Sequence, residues 1–393
     1  MIKIDLDNYK KTTDNVFLQA GFRPFFLLAA FYAILAITFW SGIYLMGWNL
    51  PLYNIPSMTW HAHEMIFGFA IAVIAGFLLT AVRNWTQQQT ADGILLGYMM
   101  VLWFIGRIPP VNSTVAYIQA ISDVSFNMVL IFTIAKPLIH RKRTSQWAVV
   151  AVLTSLLIAN MGYYMGIFKV IDIAPRTFVY IGLFTVLNLI FVFGRRLIPN
   201  FTNSAIRPDI PIKNRDFIDK ILIPIFLVFS VNEIFFHHEL ATFGLSLILF
   251  ILNMIRLVDW YRHDIWKDNL IWSLQLGYTF LTLGFLIKMG EYTLGISPFL
   301  GLHMFTIGGL SMIASSMMAR VSYGHSGRNI FEMPQAVKWI FIGIAGAVIF
   351  RVIFPILLPH HYHLWIGIAM TSWILGFVVF FLLFFFVLTR AKK

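Results

Sequence analysis

Long runs of apolar residues, separated by short polar segments, follow one another along the whole chain. A helix needs about 20 mainly apolar residues to cross the hydrocarbon core of a bilayer. Strands of a membrane barrel would instead alternate in segments of about 10 residues, whereas these runs are apolar on every side. The pattern predicts an all-α polytopic membrane protein of about twelve transmembrane helices, in a single domain over residues 1–393. The predicted spans are 24–46, 61–82, 93–108, 115–136, 147–166, 176–194, 218–236, 240–258, 270–289, 298–319, 336–357 and 362–388.

The composition agrees with this pattern and narrows the chemistry. Hydrophobic residues make up 59% of the 393 and charged residues 12%, about half the charged share of soluble domains. The chain has no cysteine, which excludes disulfides, iron–sulfur clusters, thiolate haem ligands and cysteine nucleophiles. Any metal chemistry therefore depends on histidine, methionine, tyrosine and carboxylates.

Basic residues indicate the orientation. Of the 29 lysines and arginines, 24 lie at the N-terminus, at the C-terminus or in every second loop, which is the positive-inside distribution of cytoplasmic segments. We therefore expect a multi-pass protein of the bacterial inner membrane with both termini in the cytoplasm. The net charge of +12 then faces anionic lipid, and we expect the bilayer, rather than nucleic acid, as the partner.

Histidines are concentrated on one predicted side of the membrane. On this topology, eight of the eleven lie at outer helix ends or in outer loops, a bias that the positive-inside rule does not explain. The segment WHAHEMIFGF (60–69) places His61, His63 and Glu64 at the start of a span. Residues two apart on a helix point in directions that differ by about 200°, so His61 and His63 cannot bind one metal ion from a regular helix. They would serve two metal centres, or one of them would be a ligand and the other a neighbour that supports a ligand. Glu64 lies one turn from His61, where it could orient the imidazole or carry a proton.

A second candidate segment is GLHMFTIGGLSMIASSMMARVSYGHSGR (301–328), which starts with His303 and continues with small residues, Gly308 among them. Small residues allow close packing between helices. They could equally form a flat wall for a macrocycle, and imidazole is a common axial haem ligand. His303 is the strongest single ligand candidate, with Gly308 as a cofactor contact.

Adjacent histidines occur in FFHHEL (235–240), where His237 and His238 could bind copper or iron. A short outer loop could also carry them without a metal. Separately, LLTAVRNWT (78–86), FVFGRRLIPNFT (191–202) and MMARVSYGHSG (317–327) are similar and four spans apart. This spacing is compatible with three four-helix arcs, an architecture that resembles the catalytic subunit of haem–copper oxidases, although arginine at an inner helix end also follows from the positive-inside rule.

Two segments, WHAHEMIFGFAIAVIAGFLLTAVRNWT (60–86) and HMFTIGGLSMIASSMMARVSYGHSGR (303–328), resemble the signature regions of NnrS family membrane proteins. The resemblance implies a haem- and copper-containing protein of nitric oxide metabolism, denitrification and resistance to nitrosative stress. It marks these residues: His61, His63, Glu64, Gly68, Gly76, Arg83, Asn84, Trp85, His303, Gly308, Arg320, Gly324, His325, Gly327 and Arg328.

The preferred hypothesis is a membrane nitric oxide reductase that joins two NO molecules to N2O. It requires one or two haem b groups, with copper or non-haem iron as a further metal, and electrons from quinol or a separate cytochrome. We assign proton transfer to three carboxylates, Glu64, Glu233 and Glu291. We assign contacts to the cofactor to Arg83, Arg320 and Arg351. Arg351 could pair with a haem propionate, or its side chain could extend to the membrane interface.

Two other hypotheses remain open. The protein could be a non-catalytic haem or copper carrier, or a sensor or scavenger of NO. A small-molecule transporter is the third hypothesis, for which we expect discontinuous helices and buried charges at mid-membrane. In the predicted topology, the polar residues instead lie towards one face of the membrane.

Overall fold

The structure, a computed structural model, describes residues 13–142, 146–207 and 211–391. Within these ranges every regular element is helical, and ten helices are long and apolar enough to cross a membrane. The prediction of an all-α, multi-pass membrane protein is confirmed. The charged ends that contributed to the predicted orientation, residues 1–12 and 392–393, lie outside the described residues.

The α-helices are numbered in chain order. They are α1 (Phe22–Met46), α2 (Ser57–His63), α3 (Ile71–Thr86), α4 (Gly93–Ile105), α5 (Ser113–His140), α6 (Trp147–Ile167), α7 (Pro175–Ile206), α8 (Asp216–Val231), α9 (Glu239–Trp260), α10 (Asn269–Leu294), α11 (Pro298–His303), α12 (Met312–His325), α13 (Lys338–Val348), α14 (Phe354–Leu357) and α15 (Tyr362–Thr389).

Two of the twelve predicted spans do not meet the requirements of a membrane-spanning helix, for different reasons. Helix α4 has only 13 residues and ends at Ile105, before Gly106 and the pair Pro109–Pro110, because proline lacks the backbone donor that a helix needs. Helix α8 has 16 residues and continues into five π-helical ones, which is long enough, but this stretch carries four charged residues, Asp216, Asp219, Lys220 and Glu233. Both helices lie where the hydropathy indicated them, but ten rather than twelve of the described helices are long and apolar enough to cross a membrane.

Four π-helical segments interrupt the α-helices of the described chain: Glu64–Ala70, Asn232–Phe236, Met304–Ser311 and Ile349–Ile353. The first begins directly after His63 and the third directly after His303. Such segments are rare and occur frequently at functional sites. Both segments that resemble the NnrS signatures therefore share one backbone feature, which hydropathy does not reveal.

The chain divides into two compact units. The first unit contains the described residues up to Thr185, together with Met318–Met333 and the residues from Phe380 onward. The second contains Val186–Met317 and Pro334–Val379. The single domain and the three four-helix arcs stay predictions.

Glycines allow close helix packing inside each unit. In the first unit α1 packs on α3, where a Cβ on Gly76 would overlap the Phe26 ring. In the second unit α10 packs on the π-helical segment Met304–Ser311, where a Cβ on Gly308 would overlap Phe280. Gly308 thus serves helix packing, one of the two alternatives that the sequence left open, and its contact with a cofactor stays a prediction.

Candidate functional site

His63 is completely buried in the first unit, and both of its ring nitrogens have an oxygen partner. Nδ1 lies 3.0 Å from Glu64 Oε1 and Nε2 lies 3.0 Å from Asn160 Oδ1. The imidazole stacks on Tyr163, with the ring centroids 3.9 Å apart. These contacts fix both the position and the orientation of the ring.

Glu64 and Asp123 are bridged by one guanidinium. Arg107 donates to Glu64 Oε2 at 2.6 Å with one arm and to Asp123 with the other. Tyr32 donates to Glu64, and Tyr164 donates to Asp123 Oδ2 at 2.7 Å. All these side chains are buried. We call this set the Arg107 network: Tyr32, His63, Glu64, Arg107, Asp123 and Tyr164.

Two glycines make room for the Arg107 network. A Cβ on Gly68, in the π-helical segment after Glu64, would overlap Tyr32 and approach Arg107. A Cβ on Gly106, at the end of α4, would overlap the Asp123 carboxylate. The network therefore depends on the end of α4 and on the turn after His63 as much as on its charges.

His61 faces different surroundings from His63. Its ring is half-buried and stacks on Trp40, with centroids 4.5 Å apart and planes 8° apart. The two histidines therefore contact different groups, as their helical spacing indicated. The imidazole that pairs with Glu64 is that of His63, where the spacing had suggested His61.

In the second unit, a lysine joins the other two carboxylates that the sequence singled out. Lys288 Nζ lies 2.6 Å from Glu233 Oε2 and 2.6 Å from Glu291 Oε2. Thr242 donates to Glu233 Oε1 at 2.6 Å, and Asn232 donates to the Thr242 hydroxyl at 2.9 Å. We call these five residues the Lys288 cluster. The Lys288 side chain is 3% exposed, Glu233 8% and Glu291 15%.

His303 lies in the second unit at the end of α11 and is partly exposed. Its Nδ1 is 2.6 Å from the Phe299 carbonyl oxygen, one turn earlier in the helix. A carbonyl accepts only, so Nδ1 carries the proton and Nε2 carries the lone pair of the neutral ring. This hydrogen bond sets the tautomer in the way that metal-binding histidines commonly use.

The adjacent histidines of FFHHEL are exposed. His237 ends a π-helical segment in the left-handed conformation, and His238 Nδ1 accepts from the backbone N–H of Ala241 at 3.3 Å. His238 thus caps α9. Among the described residues, no three histidine, aspartate or glutamate side chains form a group that could hold one metal ion. A haem iron with one or two imidazole ligands does not need such a group.

The three arginines assigned to a cofactor have different surroundings. Arg83 is buried in the first unit and donates to the Gln19 carbonyl at 3.3 Å. Arg320 is 4% exposed in the same unit. Arg351 lies in a π-helical segment of the second unit, with its guanidinium 5.9 Å from the Tyr362 ring centroid. Their contact with propionates stays a prediction.

Sequence reasoning missed the residues that organise both groups, namely Arg107, Asp123 and Lys288. Each one was visible as a charge within or directly beside an apolar run, and such residues are rare and usually paired. The identity of the partners was not visible, because it depends on which helices pack together.

The sequence model of the family described as "NnrS protein" matches residues 16–392. No curated protein matched the sequence. The family match includes both signature segments, the Arg107 network and the Lys288 cluster. Because it covers nearly the whole chain, the protein belongs to the NnrS family of membrane proteins, which is connected with nitric oxide.

Proposed function

We propose that the protein binds haem b through His303 and reduces nitric oxide in the bacterial inner membrane, which protects the cell against nitrosative stress. The balanced reaction joins two NO molecules, two electrons and two protons to give N2O and water. Family membership supports the substrate. The electrons would come from quinol or from a separate cytochrome.

The tautomer of His303 is the observation that carries this proposal. Its Nδ1–H is held by the Phe299 carbonyl, so the lone pair required of an axial ligand lies on Nε2. When bound, the haem would supply an iron centre that takes up NO and accepts electrons. The residues around His303 thus fit the group that the proposal requires.

His63 fits a ligand role poorly. Both of its nitrogens already have oxygen partners, so iron or copper could bind only if Glu64 or Asn160 lost a buried hydrogen bond. Such a loss costs about 1–3 kcal/mol. The predicted role of His61 as a ligand to a second metal, haem iron, copper or non-haem iron, is kept, and that of His63 is not.

The Lys288 cluster is the better proton-handling group of the two. Its carboxylates are the less enclosed ones: Glu233 is 8% and Glu291 15% exposed, whereas Glu64 and Asp123 are each 1% exposed. A proton from outside the protein can therefore reach the Lys288 cluster more easily. We assign proton transfer to Glu233 and Glu291, and we assign Glu64 the role of a fixed counter-charge to Arg107.

Absorption spectroscopy of the purified protein tests the haem assignment. We expect a b-type spectrum that His303→Ala abolishes and His360→Ala, a change at an exposed histidine, leaves intact. An unchanged Soret band in His303→Ala would remove the ligand assignment. Absence of haem from the native protein would overturn both the enzyme and the carrier hypotheses.

NO consumption under reduced quinol, measured with an electrode, tests the reaction. We expect N2O as the product and a slower rate in Glu291→Gln with unchanged haem content. Haem without NO consumption, with quinol or a reduced cytochrome, would favour a carrier, a sensor or a scavenger.

The transporter hypothesis gains from one observation. Buried charged groups occur within the helices of each unit, at Glu64 and Asp123 in the first and at Lys288 in the second, and such groups often mark transport pathways. Solute uptake by haem-free protein in proteoliposomes would favour this hypothesis over the reductase.

A further inference from the structure

A cavity of about 210 Å³ lies in the first unit, between α1 and the end of α4. It exists because α4 is short. Helix α1 continues for 25 residues, whereas α4 ends after 13, so part of α1 faces the irregular segment that follows α4. The cavity is lined by Phe31, Tyr32, Leu35, Ala36, Phe39, Trp60, Trp103, Phe104, Arg107, Ile108 and Pro109.

The polar groups next to this cavity are already used inside the protein. The Tyr32 hydroxyl donates to Glu64, and the two arms of Arg107 donate to Glu64 and Asp123. Arg107 Nε donates to the Trp103 carbonyl at 3.4 Å. A ligand with hydrogen-bonding groups would give up its water partners here without replacement, which costs free energy. The lining therefore discriminates against quinol head groups and anions and accepts apolar molecules.

Apolar cavities of this size have a known behaviour. An engineered cavity of about 150 Å³ lined by aliphatic and aromatic side chains stays dry and binds benzene or xenon. The present cavity is somewhat larger and open on one side, and apart from Tyr32 and Arg107 its lining is mainly aliphatic and aromatic. It is therefore suited to small uncharged molecules, which need shape and dispersion contacts only.

The side of the cavity that faces outward is also apolar. Phe31, Phe104 and Ile108 are 43%, 56% and 45% exposed, and in a membrane protein such a surface faces lipid. A small apolar molecule dissolved in the hydrocarbon could reach the cavity without crossing water. An ion or a sugar could not use this route.

We propose that this cavity is a binding site for small apolar gas molecules taken up from the bilayer, and that nitric oxide is its ligand in the cell. The assignment of nitric oxide rests on the proposed function, whereas the class of ligand rests on the cavity alone. The site lies beside the Arg107 network and its lining contains no histidine, so it is a place where the gas is held and not a metal centre.

Xenon is the probe for the class of ligand. In crystals of the full chain pressurised with xenon, we expect density in this cavity. Ala36→Leu, which fills the cavity, should abolish that density, and Leu95→Phe, at an exposed position of α4 outside the lining, should retain it. Phe39→Ala enlarges the cavity and should raise xenon occupancy, so a folding failure of Ala36→Leu leaves a second variant with the opposite expected result.

Three results would overturn the site. The first is the absence of xenon from this cavity in the wild-type protein, and the second is its persistence in Ala36→Leu. The third is an ordered lipid acyl chain that fills the cavity in lipid nanodiscs and that xenon does not displace.

NO consumption tests the assignment of the ligand separately. We expect Ala36→Leu to raise the KM for nitric oxide several-fold, with unchanged kcat and haem spectrum. An unchanged KM would overturn the assignment of nitric oxide. If the wild-type protein consumed no NO, the proposed function would fail while the xenon result would still decide the class of ligand.

Discussion

The Arg107 network of the first unit and the Lys288 cluster of the second each join two carboxylates through one basic side chain, but they differ in how completely they are enclosed. Glu64 and Asp123 are each 1% exposed, whereas Glu291 is 15% exposed. Arg107 holds its partners with a rigid planar fork, and Lys288 with a single ammonium on a flexible stem. The same kind of bridge therefore gives a fixed structural group in one unit and a more adaptable group in the other.

The two groups also differ in the number of hydrogen bonds that their carboxylates accept. In the first unit, tyrosine hydroxyls and the His63 imidazole add further partners to the carboxylates. An arginine in a protein keeps its proton, so the guanidinium that bridges the two carboxylates stays a cation. The Lys288 cluster has one hydroxyl partner, Thr242, and a carboxylate that reaches the surface, which suits a group that gains and loses a proton.

The largest effect is expected from Arg107→Leu. Removing one partner of a buried ion pair costs about 3–5 kcal/mol, because an uncompensated charge stays buried. We expect this loss in the free energy of unfolding, measured by chemical denaturation in detergent. Adding Glu64→Gln to Arg107→Leu removes one of the two carboxylate charges and should restore part of the stability. A loss below about 1 kcal/mol would mean that the network is not the fixed group described above.

Lys288→Met should lower the free energy of unfolding by about 3 kcal/mol, near the lower end of the same range. This loss is smaller than the one expected for Arg107→Leu. The two carboxylates left behind reach solvent more easily and can share a proton. The same denaturation experiment measures it, and the loss should shrink at acidic pH, where a carboxylate is protonated. An equal or larger loss than in Arg107→Leu would reverse the order of the two groups.

His63→Gln should lower the free energy of unfolding by about 1–3 kcal/mol, because an amide cannot reproduce both hydrogen bonds of the buried imidazole. We expect its haem content to equal that of the wild type, in contrast to His303→Ala. Pyridine haemochrome analysis provides the measurement. Loss of haem from a stably folded His63→Gln would return this histidine to the list of ligands.

The smallest effect is expected from Arg215→Ala. Arg215 contacts Asp259 through two nitrogens, at 2.6 and 2.8 Å, and its side chain is 56% exposed. Exposed pairs of this kind contribute little to stability. We expect the same melting temperature as in the wild type, so a clear decrease would show that enclosure does not control the contribution of a charged pair in this protein.

Much of the fold follows from hydropathy, because a lipid environment requires long helices and the sequence has to supply them. The early end of α4 was also visible, in Gly106 and the prolines that follow, although the predicted span ran to residue 108. The charged networks could not be predicted in the same way. Arg107 follows the end of α4 and Asp123 lies within α5. Nothing along the chain indicates that Glu64 pairs with Arg107 and not with a basic residue nearer in the sequence.

His303 and His63 illustrate the same limit at the candidate site. Both were recognised as histidines at the start of an apolar span. Only the structure distinguishes a ring whose Nδ1 is bound by its own helix from a ring whose two nitrogens are both occupied by side chains. The ligand roles stay predictions, and the contacts by which we prefer His303 to His63 are not contained in the sequence.

The π-helical turn after His63 lets the helix hold one residue more than an α-helix would between the same two faces. Its i→i+5 hydrogen bonds close a wider turn than the 3.6 residues of an α-helix, so deleting one residue within Glu64–Ala70 would let this segment close as α-helix. The faces of α3 would stay nearly where they are, and Gly76 would still meet Phe26. A homologous sequence with a gap of one residue should therefore have that gap placed inside this segment, because the same deletion further along α3 would turn Gly76 away from α1.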